Sequence, residues 1–477
     1  MTRQALKHYI GGAWVDPVAP ELRTLYSSAT EEPIGQVALG NGADVERAVA
    51  AAAAALVEWS TTSVSQRLDL LRAILSEYQL HVDAMAEAIC DEIGAPITLC
   101  RTIQTGSGIG QLMSTIAALE SFQFEERIGH SAVVREPIGV CGLITPWNWP
   151  LNQIAAKVAP ALAAGCTMVL KPSEITPFSA DIWAEVLHRA GVPDGVFNMV
   201  HGDGPGVGSA ISSHPDVMLV SFTGSTRAGV EVARTAALTV KRVAQELGGK
   251  SPAILLDDAD FEAAIRGTLA VLLGNAGQTC TAPSRLLVPR GRLSEVEAIA
   301  EQVARETIVG DPWDPATTMG PVSSAAHYQR VLDYVRSGIE QGAKLVVGGQ
   351  ERPDGLIRGC YVQPTIFSDV SSGMKVAVEE VFGPVLVIIP YDDEAQAIRI
   401  ANDTVFGLAG YVWSQDAKRA AIVGRQLQAG LVHINGAAVS LQEPFGGYRQ
   451  SGNGREWGSA GISEFLETKA IVGAFAG

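Results

Sequence analysis

At 477 residues the chain exceeds what one ordinary hydrophobic core holds, and its length predicts about three domains. Hydrophobic residues make up 47% and charged residues 18%, a balance that sets aside a disordered chain. A formal net charge of −16 argues against nucleic acid and anionic membrane as partners.

The opening "MTRQALKHYIGGAWVD" has no apolar core of the signal-peptide kind, so none is expected. The Ala-rich stretch Ala48 to Ala55 reads as helix. Two segments, Glu120 to Glu136 and Glu464 to Val472, fit no helix–strand series and read as extended arms. An unpaired strand of that kind invites contact with a second subunit.

From residue 139 to 246 five apolar runs alternate with helical patterns: "GVCGLITP", "CTMVLKP", "VFNMVHG", "VMLVSFTG" and "VKRVAQELGG". Near-continuous apolar strands separated by helices predict a parallel sheet covered on both faces. A second series follows the Gly-Lys-Ser-Pro punctuation near 250. Its strands are "AILLDD", "SRLLVPR", "KLVVGG", "PVLVIIPYDD", "AGYVWSQD" and "GLVHING", with a helix from Leu293 to Ile308 among the connections. The longest apolar run, Ala159 to Leu170, is too short to cross a bilayer.

The six cysteines form no CxxC pair and are too sparse for a disulfide framework. The eight histidines form no HxxxH or HExxH pair, so no metal is expected. The default expectation is a reducing, cytoplasmic setting.

Ligands of open α/β sheets bind beyond the carboxyl ends of the strands. That rule picks out Pro146 to Asn148, Lys171 to Glu174, Thr223 to Ser225, and Glu246. In "TPWNWP" the amide of Asn148 is a donor suited to an oxyanion, although Asn in an aromatic-Pro turn is also common. In "LKPSE", Glu174 can accept from ribose hydroxyls, or can simply form a solvated pair with Lys171. "FTGSTRAG" opens a helix with small residues that admit a phosphate, yet it is neither GxGxxG nor a P-loop. Glu246 ends an apolar strand, where a half-desolvated carboxylate can serve as a general base or sit ion-paired.

Cys280 stands in "LGNAGQTCTAPSR", a small, polar, backbone-exposing segment between apolar runs. Most cysteines are inert and buried. Here backbone N–H donors can approach, and such donors stabilise both a thiolate and an oxyanion.

Taken together, "TPWNWP", "KPSE", "FTGST", "ELGGKSP", "GQTC", "EEVFGPV" and "PFGGYRQSGNGRE" make the chain resemble the aldehyde dehydrogenase superfamily over nearly its whole length. The resemblance implies an α/β fold with three parts. A Rossmann-like parallel-sheet cofactor domain spans 1–119 and 138–248, with 445–463 packing back near it. A second α/β catalytic domain spans 249–444, and a small β oligomerisation arm comes from 120–137 and 464–477.

By motif position the resemblance implies Cys280 as nucleophile, Glu246 as general base and Asn148 as oxyanion donor, with Lys157 in the catalytic set. Glu456 takes the place of a second carboxylate, a proton relay or rival base. NAD would be held by Thr145, Pro146, Trp147, Lys171, Ser173, Glu174, Gly204, Pro205, Gly224, Ser225, Gly229, Leu247, Glu380 and Phe382. Glu174 would repel a 2′-phosphate, so NADP is possible but less preferred.

Small residues at Ala156 and Gly274, with Gln153, Thr279, Thr281 and Phe445, suggest a roomy pocket for a bulky or aromatic aldehyde or semialdehyde. The expected partners are that aldehyde and further copies of the chain, as homodimer or homotetramer. Three alternatives compete with NAD-dependent oxidation to the acid: a CoA-acylating semialdehyde dehydrogenase, a Cys hydrolase, and a binding protein without turnover.

Overall fold

The computed structural model describes residues 3–475. Residues 1–2, at the head of the expected cofactor domain, and 476–477, at the tail of the expected arm, lie outside the described residues.

The five expected strands of the first series form at Val140–Ile144, Thr167–Lys171, Phe197–Met199, Leu219–Thr223 and Arg242–Glu246, and neighbours pair in parallel. The first four are buried along their whole length, as continuous apolar runs between helical crossovers must be. An antiparallel hairpin, His8–Ile10 with Ala13–Val15, extends one edge, and Gly452–Asn453 returns to cap the other.

Within this eight-stranded sheet the chain moves outward from Val140–Ile144 through Thr167–Lys171 to Phe197–Met199. It then crosses back to Leu219–Thr223 on the opposite side of Val140–Ile144. Strand order therefore reverses between Val140–Ile144 and Leu219–Thr223, and the crevice at such a reversal is where these sheets bind ligands. Two separate apolar clusters cover the two faces of the sheet.

The second series makes a seven-stranded sheet in the order Lys344–Val347, Thr365–Ser368, Val385–Tyr391, Arg285–Pro289, Pro252–Leu255, Ala409–Trp413, Leu431–Ile434. Every pairing is parallel except that of the edge strand Lys344–Val347. Thr365–Ser368 is a seventh strand beyond the six expected. At four residues, all buried, it is too short to show a period of its own. The helix expected to reach Ile308 ends at Arg305.

The arms meet in one antiparallel sheet, with Ser131–Pro137 between Glu125–Ile128 and Leu466–Ile471. Its first part begins later than residue 120, because the helix Thr105–Ser121 runs on through Ser121. A fourth, small sheet of Arg3–Ala5, Pro33–Leu39 and Glu21–Tyr26 carried no sequence signal strong enough to place it. Among the described residues no helix is long and apolar enough to cross a membrane.

Candidate active site

Cys280 lies in the loop after the helix Phe261–Leu273. Of the six cysteines, all unpaired, five are buried and Cys280 alone is half-exposed. The loop turns through two left-handed residues, Ala276 at φ +51° and Gly277 at φ +74°. Gly277 has no alternative, since a Cβ there would lie 2.0 Å from the Gly383 carbonyl oxygen.

The loop "TPWNWP" follows Val140–Ile144 at the strand reversal and is fastened to the cysteine loop at several points. Asn148 Nδ2 donates to the Gln278 carbonyl at 3.0 Å, which leaves its second amide hydrogen for another acceptor. The Asn148 carbonyl accepts from Asn275 Nδ2 and Gln104 Nε2, and Trp149 Nε1 donates to Thr279 Oγ1 at 3.0 Å.

One cavity of about 370 Å³ joins these parts. Cys280, Asn148 and Glu246 line it together with Pro146, Trp147, Gln153, Gly224, Ser225, Leu247, Glu380 and Phe382. Burial, then the charges of Glu380 and Glu246, push the Cys280 thiol up to about 12, opposed by the backbone N–H groups of Cys280 and Thr281. Burial, then Glu456, raises Glu246 well above the usual carboxylate range, and neither of its oxygens has a partner among the described residues. Glu380 Oε1 accepts from Gly249 N at 3.0 Å, and burial lifts it to about 7.

Other expected residues stand elsewhere. Lys157 does not line the cavity. It is buried behind Glu246, donating to Glu456 Oε1 at 2.5 Å and Ser221 Oγ at 3.0 Å. Ala156 shares a separate void with Glu246 and Glu456, of about 10 Å³, room for one water rather than a substrate mouth. Gly274 caps its helix and lines neither large cavity, and Thr279 is engaged by Trp149. Thr281 and Phe445 line a second cavity of about 480 Å³.

The residues expected to hold a cofactor run from this cavity along the strand ends. Ser225 caps the helix Thr226–Ala236, accepting from Ala228 N, so free N–H groups and the positive helix end face the crevice. Gly229, one turn in, packs on Leu247; a Cβ there would lie 2.7 Å from its Cδ2. The Thr145 and Thr223 hydroxyls are buried at the strand ends without a partner among the described residues.

Lys171 is buried, donating to the Gly202 and Pro172 carbonyls and reaching Glu174 at 3.3 Å. Ser173 Oγ accepts from Ile175 N. Gly204 and Pro205 are the exposed start of the short helical turn Gly204–Gly208, whose end at Val207 and Gly208 is buried and which Asp203 caps at Gly206 N. A helix end for a diphosphate and a half-buried carboxylate for a ribose suit a dinucleotide.

Sequence reasoning missed Ser324, His327 and Arg330, which reach the cavity from the helix Ala325–Glu340. His327 Nε2 lies 2.7 Å from the Phe382 carbonyl, and its ring stands edge-on to Trp147 and Phe382. Phe382 itself sits at φ +58°. The only signal was the capping serine before an amphipathic helix, which carries no chemistry of its own.

The aldehyde dehydrogenase family model matches residues 14–471. The chain belongs to that family. This aldehyde dehydrogenase is accordingly an oxidoreductase. It is 54% identical to a 3-succinoylsemialdehyde-pyridine dehydrogenase of a Pseudomonas species over 99% of each chain. Among solved structures it is similar to a cysteine-to-alanine mutant of aldehyde dehydrogenase C from Pseudomonas syringae complexed with NAD+ and octanal. There the TM-score is 0.98 at 50% identity, covering 98% of this chain and 97% of that one. An aldehyde dehydrogenase of Mycobacterium tuberculosis complexed with NAD+ gives 0.96 at 41% identity, covering 99% of each.

Proposed function

We propose that this dehydrogenase oxidises an aldehyde to its carboxylic acid with NAD, through a thioester on Cys280. The observation that carries the reading is the convergence of Cys280, Asn148 and Glu246 on one cavity. The Cys280 sulfur adds to the aldehyde carbon, and its proton leaves for solvent or a cavity base. The oxyanion so formed is met by the free amide hydrogen of Asn148 and the backbone N–H of Cys280. NAD, when bound, supplies the acceptor for the hydride lost from that carbon. Glu246, raised by burial, then takes the proton of the water that attacks the thioester. Glu456, held by Lys157, stands behind it as the next acceptor along.

Ser225, Lys171, Glu174, Glu380 and Phe382 are the residues we assign to holding NAD. The Glu174 carboxylate, beside the ribose position, disfavours a 2′-phosphate and so favours NAD over NADP. The presence of Glu246 supports water over CoA as the acceptor of the acyl group. A Cys–His hydrolase is less well supported: burial lowers His327 to about 4, and its Nε2 is engaged by the Phe382 carbonyl. We assign the substrate to the bulky or aromatic aldehydes, and the arm sheet to contact between copies of the chain.

The test is absorbance of the reduced cofactor with an aldehyde panel, NAD beside NADP, wild type beside Cys280→Ala. We expect a rise with wild type and NAD and none with the mutant. No signal from wild type with any aldehyde, with or without CoA, would favour the binding-protein reading.

A further inference from the structure

Behind the strand end that carries Lys171 lies a buried polar cluster that the proposed chemistry does not use. His8 and Asp44 are fully buried, and His201 is 1% exposed. They come from three parts of the chain: the hairpin strand His8–Ile10, the first turn of the helix Gly42–Trp59, and the segment just past the strand Phe197–Met199. Burying imidazoles and a carboxylate is unfavourable unless each meets a partner, so apolar residues would pack here with less penalty.

The cluster centres on His201. Its backbone N–H donates to His8 Nδ1 at 3.3 Å, and its carbonyl accepts from Gly40 N at 2.8 Å. Its Nε2 lies 2.7 Å from Asp181 Oδ1, on the helix Pro177–Arg189. His8 is placed in turn by Asp44, whose Oδ2 its Nε2 faces at 3.6 Å. Gly40 leaves room for that ring, since a Cβ there would lie 2.4 Å from the same Nε2. Asp44 is itself fixed by the N–H groups of Val18 and Asn41.

The residue after His201 meets Lys171. The Gly202 carbonyl accepts from Lys171 Nζ at 2.9 Å. The turn Gly204–Gly208 folds back onto Gly202, where a Cβ would lie 2.2 Å from Val207 Cγ2. Lys171 gives a second hydrogen to the Pro172 carbonyl at 3.0 Å, which leaves the third for Glu174 or a ribose oxygen. An ammonium on a flexible four-carbon stem points where its acceptors hold it.

We propose that His201, held by Asp181 and His8, is a positioning residue for the adenosine ribose of NAD: it fixes the Gly202 carbonyl, which aims Lys171 at the ribose hydroxyls. The inference rests on the assignment of Lys171 and Glu174 to that ribose. His201 does not line the Cys280 cavity and acts from one layer behind. A group behind a ligand-holding side chain sets its direction, and loosening it weakens binding without deleting a contact.

The test measures affinity for ADP and for 2′,3′-dideoxy-ADP, which lacks the ribose hydroxyls, by quenching of protein fluorescence. Neither measurement needs turnover. Wild type should prefer ADP by about tenfold, as the loss of two hydrogen bonds implies. His201→Phe fills the same space without a nitrogen, and Asp181→Ala leaves the ring without its holder. In each, ADP should weaken by roughly fivefold and dideoxy-ADP by less than about twofold. His201→Gln, whose amide nitrogen reaches about as far as Nε2, should keep a ratio near that of wild type. An unchanged ratio of the two affinities in both His201→Phe and Asp181→Ala overturns the positioning role and leaves the cofactor site standing. A general loosening of the fold weakens both nucleotides alike, so it too counts against the proposal. A wild type that binds the two nucleotides equally overturns the ribose assignment, and the proposal falls with it.

Discussion

The thiol of Cys280 shares its cavity with two carboxylates, Glu246 and Glu380, and its resting state follows from them. Burial and the charges of Glu380 and Glu246 hold it protonated up to about 12. Glu380, lifted to about 7, is ionised at pH 8, where its negative charge opposes the thiolate. Glu380→Gln removes that charge, so alkylation of Cys280 by iodoacetamide at pH 8 should quicken by roughly threefold, with a smaller gain at pH 6. An equal or slower rate at pH 8 would mean that Glu380 does not act on the thiol through its charge.

At this scale Asn148 and Glu246 were legible as candidates because they stand where apolar strands end, and Cys280 because it stands in a small, polar loop beyond a helix. Lys157 and Ala156 lie outside the Cys280 cavity. A helix that is buried on all sides, as Pro150–Ala164 is, gives no sequence sign of which face meets which cavity. His327 and Arg330 were invisible for a related reason, since an N-capped amphipathic helix looks the same whether its first turn meets a ligand or solvent.

At the scale of elements, the cysteine loop depends on one glycine. Gly277→Ala forces a Cβ against the Gly383 carbonyl at a positive φ. Adjustment would pull on Gln278, which carries hydrogen bonds to Asn148 and to Ser323 N. The variant should lose at least about tenfold in kcat/KM and several degrees in Tm, read by steady-state kinetics and thermal melts. Full activity would show that the loop yields without cost. Five strands of the first large sheet and six of the second were readable, most of them as continuous apolar runs bounded by Gly and Pro, whereas the edge strands His8–Ile10, Ala13–Val15 and Gly452–Asn453 were not. Thr365–Ser368 and the small N-terminal sheet were not, for their pairing is decided by neighbours distant in sequence.

Across the whole molecule, the arm sheet leaves the outer edges of both outer strands unpaired among the described residues, and Ile128 and Ile471 on it, with Val472 just beyond, are exposed at 58%, 46% and 86%. An apolar edge of that kind calls for a partner. Light scattering of the wild type should give a multiple of the 50.1 kDa chain mass, and Ile471→Asp with Val472→Asp should lower it. A monomeric wild type would refute the assignment of the arm. The arm's location in sequence was legible as residues that fit neither series. Its pairing of the segment near 130 with the segment near 470 was not, because nothing local encodes a contact of that span.

Glu456 reaches back 299 residues to Lys157, and Phe445 and Glu456 bridge each other beside Glu246. On the ribosome Cys280 emerges well before either, by on the order of ten to thirty seconds at about 5–20 residues per second. Until then Glu246 has no Glu456 behind it, and Lys157 has no carboxylate to hold. A chain terminated before residue 445 therefore lacks the carboxylate behind Glu246 and the short strand Gly452–Asn453 that closes the edge of the first sheet beside it.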